Sequence, residues 1–171
     1  MTLGAYAHIY VHILVVDEGI MPTQSPFKPE DCNCFMVRSA ARHVTQLYDQ
    51  FLAPVGLHVT QFTILAKLKR LGARTINALA KEMAMDRTTL SRNVLPLERD
   101  GLIKIEVSSA DGRAKLLHLT KTGEKRLRAA REAWDKAQGR FETRFGAKRA
   151  ADFRAILCAV VASDFATELN N

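Results

Sequence analysis

The sequence predicts a mainly α fold with a small β-hairpin wing: a winged helix-turn-helix joined to a helical dimerisation region. Three observations carry this. Glycine and proline are sparse, at 9 and 5 of 171 residues, which favours helices over a sandwich or barrel. Two short amphipathic segments joined by a tight turn lie mid-chain, and the second is polar and basic on its outer face. An alternating apolar pair of segments with turn chemistry between them follows directly.

The elements follow in order. Residues 22–30, "PTQSPFKPE", hold three prolines and read as a linker closing an N-terminal extension, 1–30. From about Asp31 to Ala53, Phe35, Ala40, Val44, Leu47, Tyr48 and Phe51 recur near the helical period, and Pro54 ends the helix. This segment, 31–58, is the first part of the dimerisation region. Thr60 is placed to cap a second helix through about Leu71, closed by Gly72. Thr75 then caps "INALAKEMA", and Ala84 to Asp86 form the turn.

The next stretch, "MDRTTLSRNVLPLERDGLI", has Asp86 as N-cap and Gly101 as stop. Leu90, Val94 and Leu97 form a buried stripe, while Thr88, Arg92 and Arg99 project oppositely, with Thr89 beside them. Pro96 falls in the third turn, where a helical proline costs roughly 3 kcal/mol, away from the residues placed to read bases. Ile103, Ile105 and Val107 alternate as a strand, Asp111-Gly112 turns the chain, and Lys115 to Leu119 return. The winged unit thus covers 59–120. Thr120 or Thr122 caps a helix to about Phe145, and a last helix runs from Lys148 to Thr167. Phe153, Ile156, Leu157, Val160 and Val161 are its apolar side, so 121–171 completes the dimerisation region.

Charge is concentrated where the helix-turn-helix lies. The chain carries +7 overall, but residues 60–128 hold fifteen Lys/Arg against seven Asp/Glu, while residues 1–59 are net negative. A basic segment on a balanced chain is the footprint expected for phosphate contacts. Short side chains beside guanidinium groups suit base edges in the major groove. Arg87, Thr88, Thr89, Ser91, Arg92 and Asn93 are therefore the candidate DNA contacts. Lys115 and Arg113 are the wing's candidates, with Arg113 alternatively an ion-pair partner of Asp111. Arg99 reads as a phosphate contact or a structural ion pair.

Several function classes are set aside. The sequence has no G-x-S-x-G, no phosphate-cradling glycine loop and no zinc-ligand spacing, so no enzyme, cofactor or metal centre is expected. His8 and His12, four residues apart, lack a nearby carboxylate or thiol pattern. Three cysteines do not make a disulfide scaffold. The apolar run "LGAYAHIYVHILVV" is too short to span a bilayer and has no basic leader, giving a cytoplasmic expectation with no membrane partner. Met21 is an alternative start. A sequence-indifferent architectural DNA binder is the remaining alternative within nucleic-acid binding.

Over residues 31–165 the chain resembles the MarR family of winged-helix regulators. "LSRNVLPLERDGLI" and "SSADGRAKLLHLTKTG", with Asp111 and Arg113 at the D-x-R positions, carry the resemblance. It implies a homodimer whose first and last helices interlock, a pseudo-palindromic duplex DNA operator and release by a small molecule or an oxidant. Two inputs fit. Phe35, Arg38, His43, Tyr48, Phe51 and Phe62 offer aromatic walls and cationic donors for a small aromatic acid or thioester. Alternatively, Cys34 stands where peroxide-sensing members carry a reactive cysteine, with Cys32 two residues before it and Tyr48 matching one partner tyrosine. The second tyrosine position holds Arg38, a cation able to lower a thiol pKa.

Overall fold

The computed structural model describes residues 28–107 and 114–163. The N-terminal extension up to residue 27, the wing turn at Asp111-Gly112, Arg113 and the end of the last helix lie outside these. Residues 1–38 and 39–171 are distinct compact units, divided at Arg38 and Ser39. In the first, a 3-10 turn at Pro29–Asp31 leads through Cys32 to the start of helix α1 (Asn33–Leu52).

The second unit continues α1 and adds α2 (Val59–Leu71), β1 (Arg74–Thr75), α3 (Ile76–Glu82), α4 (Arg87–Arg99), β2 (Ile103–Val107), β3 (Lys115–Leu119), α5 (Lys121–Phe145) and α6 (Ala147–Ala162). The strands form one antiparallel sheet in the order β1-β3-β2. Ile105 faces Leu117 across the hairpin, and Arg74 faces Leu117 from the other side. The two-residue β1 is not legible in the sequence, because two residues carry no alternation to detect.

Local chemistry sets most boundaries. Thr75 Oγ1 accepts the Ala78 N–H at 3.1 Å, capping α3. Asp86 Oδ1 accepts the Thr89 N–H at 2.8 Å, capping α4. That hydrogen bond holds the Asp86 carboxyl below its ordinary pKa. Between them Ala84 takes a left-handed φ of 48°, a conformation that costs an L residue roughly 1–2 kcal/mol. The start of α2 corrects the expectation at Thr60. His58 is the N-cap, Gln61 Oε1 accepts its N–H at 3.0 Å, and Asp49 Oδ1 reaches from α1 to accept the Val59 N–H at 2.7 Å.

The core sits where α2, α3, α4 and the sheet meet. Leu52, Ile64, Leu65, Leu79, Leu90 and Leu117 are completely buried, each worth about 1.5–3 kcal/mol relative to exposure. Thr120, the α5 cap, also locks α5 to the hairpin. Its Oγ1 accepts the Gly123 N–H at 3.0 Å and donates to the Gly101 carbonyl at 2.7 Å, while the Thr120 N–H bonds the Leu102 carbonyl. The approach is so close that a Cβ on Gly123 would lie 2.0 Å from the Leu102 oxygen. Leu102 and Ile103 therefore enter the core directly beneath the first turn of α5.

Candidate nucleic-acid interface and neighbouring clefts

The face of α4 opposite its buried stripe is exposed at Arg87, Thr88, Thr89 and Arg92. Ser91 and Asn93 are half-buried and donate to carbonyls one turn back, Ser91 Oγ to Arg87 at 2.8 Å and Asn93 Nδ2 to Thr89 at 2.9 Å. These bonds fix the two side chains along the helix and leave their oxygens outward as acceptors. Among the described residues no carboxylate pairs with Arg87 or Arg92. Arg99 behaves differently: its Nε lies 3.2 Å from Asp100 Oδ1, the structural alternative for that residue.

Helix α4 and the hairpin enclose a groove of about 500 Å³ that brings Arg87, Ser91 and Lys115 together. Leu95 and Val107, 60% and 62% exposed, stand on its walls. Sequence spacing does not point to either as part of this surface, since aliphatic residues at these positions read as core or strand. On β2, Lys104 pairs with Glu106 at 2.5 Å and holds its carboxyl below the ordinary range; His118 lies 3.5 Å from the same carboxylate. Pro96 leaves α4 continuous to Arg99, with the Asp100 N–H bonded to the Pro96 carbonyl at 3.0 Å.

The residues read as an effector pocket are placed as follows. Phe35 and Arg38 are exposed on the N-terminal part of α1, as is Cys34, while Cys32 is half-buried. In the second unit His43 and Phe62 line different clefts. Phe62 is 7% exposed, is stacked on Trp134 with centroids 6.0 Å apart, and shows an edge to shallow grooves between α2 and α5. Arg131 lies over the Trp134 ring at 5.0 Å. His43 lines a separate cleft of about 380 Å³ between α1 and α5. Phe51 is half-buried near the end of α1.

Tyr48 is committed to a chain of polar contacts. Its hydroxyl donates to Gln138 Oε1 at 2.5 Å, Gln138 Nε2 donates to Glu142 Oε1 at 2.7 Å, and Arg154 donates to the same oxygen at 3.1 Å. Burial and the Glu142 charge push the Tyr48 hydroxyl up, while its hydrogen bonds from Gln138 and Arg154 hold Glu142 down. The chain ties α1, α5 and α6 together. Sequence reasoning misses Trp134, Gln138 and the cationic residues of α5. Helical periodicity shows that α5 is amphipathic but not which helix each face meets.

Two helices joined by a tight turn, followed by an antiparallel hairpin whose inner strand also pairs with β1, define a winged helix-turn-helix protein. Residues 55–114 match the model of the MarR family, and this chain belongs to that family. It is 27% identical over 96 residues to the organic hydroperoxide resistance transcriptional regulator of Bacillus subtilis, an alignment covering 56% of this chain and 65% of that protein. The chain thus spans just under two thirds of that relative. Among solved structures it is 31% identical to the M. tuberculosis transcriptional regulator MosR, with a TM-score of 0.66 over 78% of this chain and 98% of that one. Bordetella bronchiseptica BpsR, whose DNA binding is regulated by 6-hydroxynicotinic acid, shares the fold at 20% identity, with a TM-score of 0.71 over 82% of this chain and 100% of that one. Among the described residues no group of three or more His, Cys, Asp or Glu is placed to hold a metal, and no single helix is long and apolar enough to cross a membrane.

Proposed function

We propose that the protein is a ligand-responsive transcriptional regulator that binds duplex DNA as a homodimer and represses until a small aromatic acid or thioester releases it. The exposed α4 face carries this reading: two arginines without carboxylate partners among the described residues, interleaved with threonines, inside the most basic part of the chain. Arg92 and the two threonines are assigned to base edges, and Arg87, Lys115 and the wing's Arg113 to phosphate or the adjacent groove. The exposed apolar side of α6, with Ile156 61% and Val161 69% exposed, supports self-association. Phe35, Arg38, His43, Tyr48, Phe51 and Phe62 remain the candidate effector contacts.

A second input is favoured by a specific observation: Cys34 is an exposed thiol, and the B. subtilis relative is a regulator of organic hydroperoxide resistance. A peroxide would take the Cys34 thiolate to a sulfenic acid and leave as the alcohol, and the Cys32 thiol of this or another copy would then displace water to give a disulfide.

Fluorescence anisotropy on a pseudo-palindrome from the promoter of its own gene tests both. Half-sites about 10 base pairs apart should bind tightly, and inserting about half a turn should abolish binding. Arg92→Ala should cost roughly 1–3 kcal/mol and flatten preference at one base position. Retained discrimination in Arg92→Ala would remove that residue from base readout. Equal affinity for random DNA would favour an architectural binder. Release by cumene hydroperoxide that disappears in Cys34→Ser selects the thiol input; release by aromatic acids that persists in Cys34→Ser selects the ligand.

A further inference from the structure

The cleft between α1 and α5 is lined on one side by His43 and neighbouring α1 residues, and on the other by Arg140, Phe141, Arg144 and Phe145. We propose that it is a binding site for a small aryl carboxylate. It lies apart from the Phe62–Trp134 grooves, and it deepens the ligand-responsive reading, on which it rests, by giving the anion a place.

Its charge points to an anion. Arg140 and Arg144 are one helical turn apart on the same face, where like charges repel. Both are exposed, and among the described residues neither has a carboxylate partner. No acidic residue lines the cleft. Other cations of α5 and α6 are engaged: Arg131 with Asp135, Lys148 with Asp152, Arg154 with Glu142, and Arg149 over the Phe145 ring at 4.7 Å. The α2–α5 groove contrasts, because its Lys69 is already paired with Glu124 at 2.7 Å.

Its apolar wall points to an aromatic body. Phe141 and Phe145 lie 5.3 Å apart, and Phe145 is braced edge-on by Phe153 at 5.8 Å, so the ring surface is set before anything binds. A volume of about 380 Å³ suits a small ligand. In the bound state the Arg140 and Arg144 guanidinium groups donate to the two carboxylate oxygens, with His43 across from them. The ligand then sits between two helices that Tyr48 and Gln138 also tie together, which gives its binding a route to helix position.

Calorimetric titration of the full chain, without DNA, tests the site with sodium 2-naphthoate and its neutral analogue 2-naphthamide. Naphthoate should saturate at one per chain. Arg140→Gln/Arg144→Gln should weaken it about tenfold or more with an unchanged melting curve, and naphthamide should bind the native chain weaker by a similar factor. Native affinity in the double variant, equal affinity for the amide, or no saturable naphthoate binding would overturn the proposal. If naphthoate fails and the double variant instead shifts the monomer–dimer equilibrium in sedimentation, a second copy occupies the cleft, which also overturns it. A naphthoate site that leaves operator binding untouched would uphold the site while removing it from the regulatory reading.

Discussion

In α4, Leu90, Val94 and Leu97 are each at most 1% exposed, whereas in α6 Ile156, Val160 and Val161 are 61%, 42% and 69% exposed. Both helices carry an aliphatic stripe at helical spacing. The first closes against α2 and the sheet within one chain; α6 buries only Ala150. The winged unit is therefore complete alone, and the last helix holds apolar surface in reserve for the homodimer proposed above.

The largest effect that would break this comparison comes from equivalent truncations. Leu90→Ala should cost about 2–5 kcal/mol in chemical unfolding, because the site is fully enclosed. Val161→Ala should change the stability of the dilute chain by no more than about 0.5 kcal/mol. It should nevertheless weaken self-association measured by sedimentation. Equal destabilisation by the two, with self-association untouched, would mean that α6 is not an interface helix.

Next in size is the junction of hairpin and α5. Gly123→Ala places a methyl group 2.0 Å from the Leu102 carbonyl oxygen and 2.7 Å from Leu119, a clash that no rotamer relieves at the backbone oxygen. A loss of about 1–3 kcal/mol is expected, with the backbone rather than a side chain giving way. Gly139, also in α5, has nothing within 4 Å of an added Cβ, so Gly139→Ala should be neutral or stabilising. Thermal melts of the pair separate close packing from helix propensity. Equal melting temperatures would show that the α5 junction is looser than its geometry.

The same contrast explains what is legible in the sequence. The caps at Thr75, Asp86 and Thr120 are local, since each oxygen serves an N–H three residues on, and spacing alone reveals them. The Leu90, Val94 and Leu97 stripe and the two hairpin strands are equally local patterns. Spacing points to Thr60 for the cap of α2 and misses Asp49, whose oxygen comes from ten residues away and from another helix. The α1–α5 cleft is hidden for the same reason. His43 stands out in the sequence, but Arg140 and Phe141 lie nearly a hundred residues later, and nothing in either helix's periodicity pairs them. The aromatic residues that read as one pocket include Phe62, whose apolar surface is spent on stacking against Trp134 in the core.

The smallest effect sharpens the closed half of the comparison, at the Asp86 cap. Asp86 accepts the Thr89 N–H, and this holds its folded pKa below the ordinary carboxylate value. A depressed folded pKa means that the cap's ionic contribution is fully present above the unfolded value, about 3.9, and is lost as pH falls through the folded one. Asp86→Asn keeps a capping oxygen without a titrating charge. At pH 6 to 7 the native chain should melt slightly higher, because a negative charge at the N-terminus also suits the helix dipole. Below about pH 4 the gap should close as the carboxyl protonates. Melting temperatures of the two chains recorded from pH 7 to pH 3 check this, since the other carboxylates titrate in both and cancel in the difference. A constant gap across that range would mean that the Asp86 charge contributes nothing and the cap is held by its oxygen alone.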